Sequence, residues 1–113
     1  MRKLLRRLCG TNSDAFENHP DLMQHWSYLL KFFNNRSMMK HTIKIYSKVD
    51  FQAIQDKALF LVGDQDILSH YPKALARLRA YGMEHRIVKN AGHAINHEMP
   101  DIIHGEIMAF CKD

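Results

Sequence analysis

The sequence has little that would tie it to a special environment. Its two cysteines, Cys9 and Cys111, stand at opposite ends of the 113 residues. They lack metal-type spacing, so reduced thiols in the cytoplasm are the expectation. No secretory core follows the basic start, because Arg6 and Arg7 interrupt the leucines. The longest apolar runs, such as ALFLV at 58–62, fall far short of the roughly 20 residues that span a bilayer. There is no internal repeat and no low-complexity tract.

What is present is the composition of one ordinary globular domain, 46% apolar and 25% charged. The net charge of +4 and isoelectric point near 9.2 would permit a weak attraction to anionic partners. Only MRKLLRRL at the start concentrates that charge. Such a basic helix could meet a membrane surface or nucleic acid; the plainer expectation is a solvated helix face, with neither nucleic acid nor membrane as partner.

Along the chain, Leu22, Trp26, Leu29 and Phe33 recur at helical spacing behind Pro20, which predicts a helix ending near Asn34 and Asn35. A short turn from Asp50 leads into ALFLVG, whose unbroken apolar run predicts a strand covered on both faces. The next helix carries Tyr71, Leu75 and Leu78 on one stripe, with Ser69 as expected N-cap and Gly82 as its stop. EHRIVKN is a second strand, and a closing helix from about Pro100 carries Ile103, Ile107 and Phe110. Gly105 costs that helix about 1 kcal/mol relative to alanine. Strand, helix, strand, helix is an α/β arrangement: a βαβ unit with a parallel pair.

Ligands of open parallel sheets sit beyond the carboxyl ends of the strands. Two polar loops occupy those places, GDQD at 63–66 and NAGHAINHE at 90–98. An aspartate on one and a histidine on the other can pair, the carboxylate fixing the imidazole tautomer and stabilising the imidazolium. Taken singly, Asp66 could merely cap the next helix and His93 could be an ordinary loop histidine.

The pattern LFLVGDQD, a helix, then HRIVKNAGHAINHEMPDIIHGEIMAF resembles the C-terminal part of α/β-hydrolase fold enzymes, the esterase and lipase-like superfamily. The resemblance implies a partial α/β-hydrolase fold. In that family the strand ends in glycine, two variable residues and the triad acid, which places the acid at Asp66 and not Asp64. The histidine falls in an A-G-H loop, at His93, and Glu98 and Pro100 precede a closing helix. The resemblance runs from about Lys57 to Phe110. More distantly, HWSYLLKFFNNRSMMK resembles part of the helical cap of such enzymes, where aromatic residues line an acyl pocket; packing is the plainer role for Trp26, Phe32 and Phe33. Residues 1–50 are then a cap-like segment and 51–113 the C-terminal part of the core. A nucleophile elbow, glycine-x-serine-x-glycine, is absent: Ser13, Ser27, Ser37, Ser47 and Ser69 are not so flanked. The expected protein is therefore the C-terminal segment of a serine hydrolase of carboxylic esters or similar acyl compounds. It supplies Asp66 and His93, needs no cofactor or metal, and is inactive by itself. Its uncovered sheet is expected to invite self-association.

Three rival readings carry different chemistry. Zinc would need glutamate directly after the first histidine of a helical pair, where Ala94 stands between His93 and His97. A haloacid-dehalogenase-like phosphatase would use Asp64 and Asp66 with magnesium, yet Leu68 replaces the usual threonine or valine and Gly63 intervenes after the strand. A non-catalytic interaction or remnant module is favoured by the missing nucleophile.

Overall fold

A computed structural model describes residues 2–112. The elements run α1 (Arg2–Leu8), a 3-10 helix (Gly10–Ala15), α2 (Pro20–Phe32), α3 (Asn35–Met38), α4 (Lys48–Gln52), a 3-10 turn (Gln55–Lys57), β1 (Leu59–Gly63), α5 (Tyr71–Ala80), β2 (Glu84–Val88), α6 (Ile95–Glu98) and α7 (Pro100–Phe110). The two strands pair in parallel, from Leu59 opposite Glu84 to Gly63 opposite Val88. The chain is thus a mixed α/β protein. No helix among the described residues is long and apolar enough to cross a membrane.

Two small cores hold it. One joins Leu5, Cys9 and Phe16, all buried, to Leu8, Ala15, Leu22, Met23, Trp26 and Ala94. Here the basic start of the sequence finds its role: Leu5 and Cys9 turn inward while Lys3, Arg6 and Arg7 stay in water. Phe16 is its centre, edge-on to Trp26 at 6.0 Å and tilted against His97 at 5.1 Å. The second core gathers Val88, Ala91 and Ile103 with Leu61, Ile95 and Met99, and so fastens α7 to the sheet.

Several expectations need correction. α2 forms where the periodicity places it, but only its first half is covered: Trp26 packs on Phe16, whereas Phe32 is 70% and Phe33 51% exposed. Those two rings extend past the Phe16 core: Phe32 stacks on the Tyr28 ring at 6.2 Å, on the exposed surface of the helix. β1 is only half-buried along Leu59–Val62, because two strands cannot cover each other's faces. Ser69 is not the N-cap of α5. Asp66 Oδ1 takes the amides of Leu68 and Ser69, at 2.8 and 3.1 Å, so this turn absorbs Ser69 and the chain enters α5 through His70 at φ 48°. α4 begins two residues before Asp50, at Lys48, since Ser47 and Asp50 form a reciprocal capping box.

Replacing Phe16 with alanine removes the one large ring fully enclosed by the first core. It should destabilise the chain by about 3–5 kcal/mol, read as a lowered urea midpoint by Trp26 fluorescence. Gly105 has nothing within 4 Å of the place a Cβ would occupy. Gly105→Ala should therefore raise stability by about 0.5–1 kcal/mol.

Candidate active site

Because β1 and β2 are parallel, the loops that follow them leave the same end of the sheet, and the backbone stitches them together. The amide of Asp64 donates to Val88 O at 3.1 Å and that of Gln65 to Ala91 O at 2.9 Å. Gly63 permits this approach: a Cβ there would lie 2.4 Å from the carbonyl oxygens of both Ala91 and Gly92.

Asp66 and His93 meet across the seam, His93 Nδ1 standing 3.0 Å from Asp66 Oδ2. The aspartate side chain is 10% exposed and the histidine side chain 50%. Burial pushes the Asp66 carboxyl up, but hydrogen bonding from His93, Ser69 and Leu68 outweighs it and leaves the group below its ordinary value of 3.8. Asp66 is then ionised at neutral pH and can only accept, so the contact places a proton on Nδ1 and leaves the Nε2 lone pair free. Nε2 enters no hydrogen bond among the described residues.

The other candidates lie elsewhere. Asp64 pairs with Lys89 at 3.6 Å and keeps Oδ1 buried without a partner. His97 packs against Phe16. Among the described residues no group of three histidine, cysteine or carboxylate side chains is placed to hold a metal ion. Cys9 is no reserve nucleophile: burial first, then the nearby Glu98, push its thiol up to about 11, so it stays protonated.

The contacts of the loop around His93 come largely from residues distant in sequence. The His93 amide donates to Leu8 O at 2.6 Å. Gly92 lies so close beneath that a Cβ would stand 2.0 Å from the same oxygen. The buried Glu98 accepts the amides of Gly92 at 2.8 Å and Ala94 at 3.1 Å. Thr11 Oγ1 donates to Asn90 O, and Asn12 Nδ2 reaches both Asn90 O and, at 3.5 Å, Glu98 Oε2. Gln65 Oε1 accepts the Thr11 amide at 2.7 Å. The one signal available in the sequence was the glutamate in the first turn of α6, a place from which a carboxyl reaches back to the N-cap amide. The contacts of Leu8, Thr11 and Asn12 left none, being separated from the loop by some eighty positions of chain.

Over an alignment of 103 residues the chain is 23% identical to the carboxylesterase YbfK of Bacillus subtilis (strain 168). The match takes in 86% of this chain, which spans 35% of that esterase's length. The chain is thus distantly similar to part of a carboxylesterase. No family model matches it, and no solved structure matches it significantly.

The depressed Asp66 carboxyl links the site to stability. A group whose folded pKa lies below its unfolded value stabilises fully above the unfolded pKa, near 3.8 here, and loses that effect as pH falls through the folded value. Asp66→Asn should therefore be less stable than the native chain at pH 7. The gap should narrow below about pH 4, as measured by urea unfolding at a series of pH values.

Proposed function

We propose that this chain is the C-terminal part of an α/β-hydrolase fold enzyme of serine type that cleaves carboxylic esters or similar acyl compounds. The observation that carries the reading is the Asp66–His93 contact at the carboxyl ends of neighbouring parallel strands. The likeness to part of a carboxylesterase supports it. In this reading residues 51–113 belong to the hydrolase core and residues 1–50 to a cap-like segment.

The chemistry follows from the free Nε2. A serine Oγ supplied from outside these 113 residues attacks the acyl carbon while Nε2 takes its proton. The imidazolium so formed is stabilised by the Asp66 carboxylate against Nδ1. The same proton passes to the departing alkoxide as the carbonyl reforms, leaving an acyl-enzyme. Water then attacks that ester with His93 again as base, and the serine recovers its proton. A metal-dependent phosphatase fits less well. Asp64 is engaged by Lys89, and both oxygens of Asp66 are taken by His93 and the turn amides. A non-catalytic module is the second reading, favoured by the absence of an elbow from this sequence.

The purified chain should not hydrolyse p-nitrophenyl acetate or butyrate above a His93→Ala control, nor take up a fluorophosphonate. Loss of a triad nucleophile costs about a millionfold in turnover, and the oxyanion donors are missing with it. Supplied with an elbow-bearing polypeptide, either one encoded in frame beside Met1 or the remaining portion of the Bacillus esterase, it should support hydrolysis. Asp66→Asn should then lower turnover by about 10⁴-fold. A fluorophosphonate label on one of the chain's own five serines would overturn the reading, as would a reconstituted His93→Ala enzyme of full activity.

The same reading leaves the open strand edges and half-buried faces of β1 to be covered by other strands. The chain by itself should therefore self-associate and bind a hydrophobic dye, seen as sedimentation above 13.3 kDa and as enhanced dye fluorescence.

A further inference from the structure

Resting on the assignment of His93 as the base, we propose that Glu98 is a positioning residue for it. Glu98 is 8% exposed and is the one buried charged side chain among the described residues. Its hydrogen bonds go to neither the imidazole nor Asp66. It grips instead the peptide units on either side of His93: Oε2 accepts the Gly92 amide at 2.8 Å and Oε1 the Ala94 amide at 3.1 Å, with Asn12 Nδ2 a third donor to Oε2 at 3.5 Å.

The amide of His93 itself is bound on the other side, to Leu8 O. Consecutive N–H groups of residues 92, 93 and 94 are thus all satisfied, two of them by a single carboxyl group. A histidine on a loop otherwise samples several backbone settings, and its ring leaves a fixed aspartate as it does so. With both flanking peptides pinned, the ring is delivered to Oδ2 of Asp66, and Asp66 selects the Nδ1–H tautomer. Two acceptor oxygens are needed for this. The isosteric amide of glutamine offers one, and sets an NH₂ against the remaining peptide N–H, donor facing donor.

The tautomer of His93 measures this role directly, and no catalysis is required. Neutral His93 in the ¹⁵N-labelled 113-residue chain should be mainly Nδ1–H by imidazole ¹⁵N shifts. In Glu98→Gln the ratio of Nδ1–H to Nε2–H should fall by about fivefold, the worth of one ordinary hydrogen bond, while the dispersion of the α7 and sheet amides is kept. A folded Glu98→Gln with the native ratio would overturn the proposal. Should that variant not fold, the native chain decides: couplings across the hydrogen bonds from the Gly92 and Ala94 nitrogens to the Glu98 carboxyl carbon support it, and their absence overturns it. A native chain whose His93 is already mainly Nε2–H would instead sink the Asp66–His93 pairing, and with it the reading of the site as a hydrolase dyad.

Discussion

Three stretches of backbone meet where two glycines leave no room for a side chain. Gly63, at the end of β1, lies against the carbonyls of Ala91 and Gly92, and Gly92 in turn lies against the carbonyl of Leu8. A methyl group at either place would drive these segments apart. Close contact lets the loop amides find carbonyl partners: Gln65 on Ala91, His93 on Leu8. The remaining amides of the histidine loop, those of Gly92 and Ala94, turn to Glu98. The seam between strands, loops and N-terminal helix is thus a backbone hydrogen-bond network enclosed by apolar packing, in which an unmade bond would leave a buried polar group stranded.

The chemistry of the site inherits this arrangement. Asp66 can be largely buried and yet ionised because its oxygens are filled by the Leu68 and Ser69 amides and by His93. One residue thereby shapes the turn into α5 and orients the imidazole. Asp64, two positions earlier on a strongly bent loop, faces Lys89 instead. The enclosure beside the histidine loop also removes Cys9 from chemistry, since its thiol is enclosed and sits near Glu98.

Away from the seam the chain is sparsely covered. Tyr28, Leu29 and Phe32 on α2, Phe33 just past its end, and Ile43 and Ile45 beyond α3 are large apolar side chains largely exposed to water. The sheet has two strands and two open edges. The burial lies where α1, the first 3-10 helix, the start of α2 and the closing helices converge on the loops, and under α5, where Leu75, Leu78 and Met83 are enclosed.

Much of this was legible in order along the chain. Apolar periodicity places α2, α5 and α7, and the short runs ALFLVG and EHRIV are the two strands, since those signals depend on neighbours in sequence. Local position put polar loops after both strands, and the resemblance of those loops to the α/β-hydrolase pattern named Asp66 and His93, which the structure brings to 3.0 Å. What tertiary structure alone decided depends on distant residues. Phe33 remains half-exposed although its helical stripe resembles a core face, and Phe32 beside it is more exposed still. The N-terminal residues Leu8 to Asn12 lie on the site loops, and an inconspicuous Glu98 holds the peptides around His93. Local sequence sets which side of a helix or strand is apolar. Which of those faces is covered, and which carboxyl a loop amide finds, is set by chain segments some eighty residues apart, whose approach no local pattern encodes.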